Sequence, residues 1–309
     1  MDSGTSINIK NKNKYLIILS GSPRGGQKTW ESLVQKVKNP LSADLALSYG
    51  DKFTLPKYLK DNCDYDWMFS EEDNWKKYFE KELNNDWKEF FLKGKKYGMA
   101  GGIDNNTGSG AIVSGLKNIL YKNHLETIKK YKYIIHSRFD QFYIHEHEEF
   151  SGDNIWIPEG EDYFGICDRH AVFPSKYADK FFNICETIDN YKSFGSLPEK
   201  ITPESVLLYN LKVNNLEKKI VRYPRTQFTV SNKNDETRWR VAKYNLYFYK
   251  DLKIKYPDEF LDSFKSINKE GISFKFFINN KRLYSNYSYL MLRIKLGEIK
   301  RLFKGKNNV

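Results

Sequence analysis

Apolar residues in this chain come as short unbroken runs set between polar, glycine-rich stretches. Tyr15–Ser20 reads YLIILS, and Tyr131-Lys-Tyr-Ile-Ile-His136 ends abruptly at Ser137-Arg-Phe-Asp140. Runs of β-branched and aromatic residues without polar alternation predict strands covered on both faces. On this pattern strands fall at 15–20, 43–47, 131–136, 155–158 and 171–173. Apolar residues at helical spacing fill the intervals. Trp30, Leu33, Val34 and Val37 predict a helix over 29–37, stopped by Asn39-Pro40. Further helices are expected at 72–92, at 111–130 (Ile112, Leu116, Ile119, Leu120, Ile128) and at 175–191. Another opens at Pro203-Glu204, which suit a first turn, and runs to Leu211. Strand, glycine turn, helix and strand in succession are the usual start of a nucleotide-binding α/β sheet.

The remaining stretches set the expected organisation. Residues 1–13 are polar and predict a flexible arm, 14–240 one α/β domain, and 241–309 an aromatic, basic and mainly helical appendage. The net charge of +12 is concentrated: residues 281–309 hold eight Lys and Arg against Glu298 alone. The body is therefore only mildly basic, which argues against nucleic acid as partner. Cys63, Cys167 and Cys185 form no CxxC pair, as expected of a reducing, cytoplasmic compartment. No run approaches the roughly 20 apolar residues of a membrane span. From Tyr289 to Phe303, apolar and basic residues interleave as in a basic amphipathic helix. That tail is expected either to dock on the domain or to lie on an anionic membrane surface as a peripheral contact.

Four places carry candidate chemistry. Gly21-Ser22-Pro-Arg24-Gly-Gly26 joins a strand to a helix, and free amides there, with Arg24, can grip a phosphate. Gln27 stands where a Walker lysine would be. Arg138 and Asp140 leave the central strand one residue apart, so both side chains project the same way. The acid can ligate Mg²⁺ or Mn²⁺ and the arginine can neutralise a diphosphate. Asp64-Tyr-Asp66 has the acid-x-acid spelling but follows no buried run, and ranks below Asp140. The loop from Gly160 to Arg169 offers acids and aromatics, with Asp168 able to act as base toward a hydroxyl or simply to pair with Arg169. Glu204 is a second acid of this kind. His145 and His147 have strand spacing for a metal, but the neighbouring Glu146, Glu148 and Glu149 predict a solvated loop.

Taken in order, Leu19-Ser-Gly-Ser-Pro-Arg24, Trp30-Glu-Ser-Leu33, Asn39-Pro-Leu-Ser-Ala-Asp44, Tyr131–Asp140, Ile157-Pro-Glu-Gly160, Gly165-Ile-Cys-Asp-Arg169 and Thr202-Pro-Glu-Ser-Val206 resemble a GT-A-like glycosyltransferase family of polysaccharide gene clusters and large DNA viruses of algae. The likeness covers roughly 14–240. It implies a Rossmann-type mixed central sheet flanked by helices, a nucleoside-diphosphate-sugar donor and transfer to a hydroxyl of a glycan acceptor. By position, Gly21, Ser22 and Arg24 would line the donor site, with Arg138 at the diphosphate. Asp140 would be the metal-side acid for Mn²⁺ or Mg²⁺, and Asp168, or else Glu204, the general base. An acidic partner two residues before Asp140 is missing, and Arg138 stands there instead.

Two other readings fit the residues. Gly21–Thr29 also looks like the phosphosulfate-binding loop of sulfotransferases, with Arg138 and Ser151 as weak mimics of their 3′-phosphate pair. A non-catalytic glycan-binding protein on a degenerate transferase fold would also suit the aromatic content and the basic tail.

Overall fold

A computed structural model describes residues 14–233, 235, 246–270 and 280–305. The expected arm at 1–13 and parts of the appendage lie outside them. In chain order the elements are β1 (Tyr15–Ser20), α1 (Gln27–Leu33, continued by a π-helical turn, Val34–Lys38), β2 (Asp44–Gly50), α2 (Lys57–Asn62) and β3 (Tyr65–Phe69). Then come α3 (Trp75–Glu82), α4 (Trp87–Lys93), α5 (Gly110–Ile128), β4 (Tyr133–Ser137), β5 (Gln141–Tyr143), β6 (Ile155–Pro158) and β7 (His170–Pro174). After these follow α6 (Ala178–Phe182), α7 (Ile184–Asp189), α8 (Pro203–Val213), β8 (Ile220–Tyr223), β9 (Gln227–Asn232), β10 (Leu252–Ile254), α9 (Pro257–Glu270) and α10 (Lys281–Gly305).

Seven strands form a mixed sheet in the order β3-β2-β1-β4-β7-β6-β8. β1 pairs in parallel with both β2 and β4, and β7 runs antiparallel between β4 and β6. Both faces are covered, which explains the unbroken apolar runs. Ile17, Leu19, Leu45 and Ile135 pack with Trp30, Leu33 and Val37 of α1 on one side. Leu16, Ile18 and Ile134 pack with Leu120 of α5, Phe182 of α6 and Leu207 of α8 on the other. Each such fully buried aliphatic or Phe side chain contributes roughly 1.5–3 kcal/mol.

From β1 the order proceeds to β2 and β3 on one side and to β4 on the other, with α1 and α5 on opposite faces. The carboxyl ends of β1 and β4 thus bound the crevice where open α/β sheets bind ligands. β7 enters from the opposite direction, with His170 opposite Ser137. Its first residues therefore reach the same edge as the last residues of β4.

Several expected elements are divided. The helix anticipated at 72–92 is two helices, because the Asp189 carboxylate accepts the N–H groups of Asn84, Asn85 and Trp87 at the break. The helix anticipated at 175–191 breaks at Asn183, between α6 and α7. Asp64-Tyr-Asp66 follows the helix α2, in keeping with the absence of a buried run before it, and leads into the edge strand β3, with Asp64 holding Lys38 and the Leu45 N–H. The loosened pattern past Tyr223 hides β9 and β10, which with β5 form a second, three-stranded sheet. Residues beyond 246 are thereby joined to the body: β10 pairs with β9, and α9 packs on Phe228 and Val230 through Phe260 and Phe264.

Candidate functional site

At the crevice the glycine turn meets the exit of β4. Gly25 has φ +95°, and a Cβ there would stand 3.1 Å from Asp140 Cα and 3.2 Å from the Phe139 carbonyl oxygen. Only glycine allows that backbone and that approach. Arg24 and Asp140 are held together as a result. The turn's amides are mostly committed inside the protein: Gly21 N–H donates to Ser48 O, Arg24 N–H to Ser22 O, and Gly25 N–H to Asp235 Oδ2 at 3.2 Å. Any grip on an anion here falls to side chains, not to the loop backbone anticipated from the sequence.

Those side chains are three cations round the Asp140 carboxylate, with a second acid, Asp235, on the Gly25 amide. Asp140 is 3% exposed and accepts two hydrogen bonds from Arg138, Nε at 2.9 Å and Nη2 at 2.7 Å. Lys255 Nζ, from the end of β10, lies 3.7 Å from Asp140 Oδ2. Burial alone would raise the Asp140 pKa, but Arg138, Lys255 and Arg24 outweigh it and hold the group below the usual carboxylate range. For Lys255, burial dominates: despite Asp140, it and the positive Arg138, Arg24 and Arg169 bring the amine down to about 8. Arg24 is half-buried, and its guanidinium makes no hydrogen bond or ion pair among the described residues. Arg138 keeps about a third of its side chain exposed, with Nη1 likewise unengaged. Ser22, also half-buried, lines the turn beside Arg24.

These neighbours do not fit a Mn²⁺ or Mg²⁺ on Asp140. Both Asp140 oxygens already serve Arg138, Asp235 Oδ2 accepts the Gly25 and Asn232 N–H groups, and a dication would join three cations already gathered there. The same cluster suits a diphosphate.

β7 supplies the other half. Arg169, immediately before it, pairs with Glu259 at 2.7 Å and Glu161 at 3.1 Å, and its guanidinium lies 4.6 Å from the Tyr256 ring centre. Glu259, fully buried, also pairs with Arg225 at 3.1 Å and accepts the Thr229 N–H at 2.6 Å. Asp168 is half-buried and makes no hydrogen bond or ion pair among the described residues, so the expected pairing with Arg169 is not formed. Glu204 sits in the first turn of α8, which Thr202 and Ser205 close as a capping box. It is buried, with Arg169 Nη2 4.0 Å away. Burial first, then the Asp168 charge, push its pKa up to about 8. The loop between Glu159 and Asp168 carries Glu161, Tyr163 and Phe164 at positive φ. Tyr163 and Phe164 are exposed, the latter with Lys200 3.9 Å over its ring. Strained backbone presenting aromatics beside an acid is a feature that clusters at ligand sites.

No protein-family model matches this chain, and no curated protein does.

Gly21, Ser22 and Arg24 follow β1, Arg138 and Asp140 follow β4, and Asp168 precedes β7, all at one sheet edge, whereas Ser151, before β6, lies at the opposite edge. The histidines form no part of this group. His147 is buried rather than solvated, its Nε2 3.1 Å from His170 Nε2, and His170 in turn meets Ser137 and Tyr143 inside the core. His145 is only partly buried, and Glu146, Glu148 and Glu149 are exposed as anticipated. Among the described residues no cluster of three or more metal-ligating side chains occurs.

Sequence reasoning missed Lys255 and Glu259. They come from a stretch whose pattern is weak and which reaches the site only through the β10–β9 pairing. An open depression of about 250 Å³ lies elsewhere, beside the start of α10, lined by Tyr249, Lys250, Lys281 and Arg282 with no acid.

Proposed function

We propose that the chain is a glycosyltransferase that takes a sugar from a nucleoside-diphosphate donor to a hydroxyl of a glycan acceptor. The observation that carries this reading is the packing of Gly25 on Asp140, which sets Arg24, Arg138 and Lys255 round one anion-binding point. The mixed sheet and its crevice agree with the GT-A-like resemblance, which remains part of the proposal.

In this reading the three cations hold the diphosphate and stabilise it as it leaves, in the place of a metal at Asp140. Asp140 orients Arg138. Asp168 takes the proton of the acceptor hydroxyl as its oxygen bonds to the anomeric carbon. The bond from that carbon to the diphosphate oxygen breaks, and its electron pair leaves with the diphosphate. Glu204, protonated below a pH of about 8, serves as a hydrogen-bond donor beside Asp168 rather than as the base. Tyr163 and Phe164 offer faces for the acceptor's sugar rings.

The tail belongs to the same proposal as a peripheral contact with an anionic membrane surface. No described helix is long and apolar enough to cross a membrane. α10 docks through Leu283 and Leu290 but leaves Leu292, Ile294 and Leu296 exposed among Arg293 and Lys295.

The donor class is tested by thermal shift with UDP-, GDP- and dTDP-sugars beside the phosphosulfate donor of sulfotransferases. Stabilisation by at least one nucleotide sugar is expected, and Arg24→Ala should weaken it about 10- to 100-fold, the worth of a charge-assisted hydrogen bond. Stabilisation by the sulfate donor alone would replace this reading with a sulfotransferase. Indifference to every nucleotide would favour a glycan-binding protein.

A further inference from the structure

We propose that the depression at the start of α10 seats the phosphate of an anionic lipid headgroup, one that ends in a phosphomonoester as phosphatidic acid does. The tail then reads a headgroup chemistry as well as surface charge. The inference rests on the membrane contact proposed above for the tail and names the lipid class that this contact takes.

Two segments far apart in the chain build the depression. Tyr249 and Lys250 come from the stretch before β10, and Lys281 and Arg282 from the first turn of α10. Phe248 and Leu283 are buried in one cluster beneath them, and Asn286 Nδ2 of α10 donates to the Tyr247 carbonyl at 3.2 Å. That packing brings Lys250, Lys281 and Arg282 to a single opening of about 250 Å³. None of the described residues lining it is acidic, and the exposed Asp251, next to Lys250, is not on the lining. The three cations make no hydrogen bond or ion pair among the described residues. α10 begins at Lys281, so its first amides have no acceptor within the helix and its positive dipole end lies at the same place.

Size and charge select the ligand. The opening falls below the range of about 300–1,000 Å³ that encloses a whole drug-sized molecule, and suits a smaller group. A phosphomonoester offers close to two negative charges at pH 7 and three acceptor oxygens, to three cations that no acid neutralises. The setting of the opening selects lipid over free phosphate. Arg282, Ser285, Tyr289, Leu292 and Leu296 are all exposed and spaced three and four apart, so they share one outward face of α10. Leu292 lies roughly 15 Å along the helix from Arg282. A helix resting with that face on a membrane sets Leu292 and Leu296 at the apolar boundary and the depression at headgroup level. Tyr289, 43% exposed between them, is a residue type favoured at that interface.

The test is sedimentation of the full chain at pH 7 with phosphatidylcholine vesicles that carry either phosphatidylserine or phosphatidic acid, matched in zeta potential. Wild type should bind the phosphatidic acid vesicles about tenfold more tightly, the worth of one charge-assisted hydrogen bond. Lys281→Gln with Arg282→Gln should abolish the preference and keep binding to phosphatidylserine; both side chains are exposed, so the denaturation midpoint should not move. Leu292→Asp with Leu296→Asp should weaken binding to both vesicles and keep the preference. Equal binding of the two vesicles by wild type, or a preference that survives the loss of Lys281 and Arg282, overturns the proposal and leaves the membrane contact standing. Calorimetric binding of inorganic phosphate that needs Lys281 and Arg282, with no preference between vesicles, assigns the depression to free phosphate and equally overturns the lipid. If wild type sediments with neither vesicle, the membrane contact itself has failed and this inference goes with it.

Discussion

Two charged clusters share the carboxyl edge of the sheet, and they differ in how fully their charges are met. In the first, Glu259 lies between Arg169 and Arg225 and also accepts the Thr229 N–H, while Arg225 further donates to the carbonyls of Glu159 and Gly160. In the second, Arg138 and Lys255 share the Asp140 carboxylate, and the Arg24 guanidinium makes no hydrogen bond or ion pair among the described residues. The first is the more deeply buried, with Arg225 and Glu259 fully enclosed, whereas Arg138 keeps about a third of its side chain exposed. The satisfied cluster is framework: it ties α9 and β9 to the loop before β7. The unsatisfied one is exposed to the crevice and has capacity left over, which is what a ligand site requires.

Breaking the first cluster should therefore cost stability, and breaking the second should cost binding. Glu259→Gln leaves Arg225 a buried cation without its carboxylate and Arg169 with Glu161, and is expected to destabilise the fold by about 3–5 kcal/mol. Urea denaturation of the variant measures this. Arg24→Ala, by contrast, should leave the denaturation midpoint within about 0.5 kcal/mol of wild type, as for a side chain without partners. A Glu259→Gln protein as stable as wild type would erase the distinction drawn between the clusters.

The second cluster should also respond to pH where the first does not. The Lys255 amine is brought down to about 8, so it is charged below that pH and neutral above it. Affinity for a nucleoside diphosphate is expected to be full at pH 7 and to fall as pH rises through about 8. The loss should approach the tenfold or so that one charge-assisted contact contributes. Lys255→Met should bind weakly at pH 7 and lose the step. A wild-type profile flat from pH 7 to 9 would remove Lys255 from the anion site. The Arg169–Glu259 pair gives no such step, since Glu259 is held below and Arg169 above their ordinary ranges.

The same contrast explains how much was legible in the sequence. Fully buried strands show as apolar runs, so β1, β4 and β6 could be read nearly to the residue, and with them the edge where Arg24, Arg138, Asp140 and Asp168 emerge. Pairing between distant segments leaves no such mark. β9 and β10 are short and their partners lie far away in the chain, so Lys255 arrives at Asp140 across 115 residues without a local signal. Helix ends fixed by remote side chains were equally hidden: nothing near Asn84 announces that Asp189 will cap the break after α3. The histidines show the converse error. Their acidic neighbours suggested solvent, but His147 turns inward to His170 while those neighbours stay outside.

The smallest effect is expected far from both clusters, on the tail helix. Its first half is pinned, since Leu283 and Leu290 are buried against Phe264 and its neighbours, whereas Leu292 is 58% and Leu296 48% exposed. Residues four apart share a helix face, so these two leucines lie together with Arg293 and Lys295 alongside. Such a face suits anionic lipid, where each basic side chain near the surface contributes about 1 kcal/mol. Sedimentation with vesicles of mixed phosphatidylcholine and phosphatidylserine should bring down wild type, and added salt should weaken the association. Leu292→Asp with Leu296→Asp should reduce it severalfold without altering turnover on a soluble acceptor, because the pinned half and the crevice are untouched. Equal sedimentation of the double variant would assign α10 to docking alone.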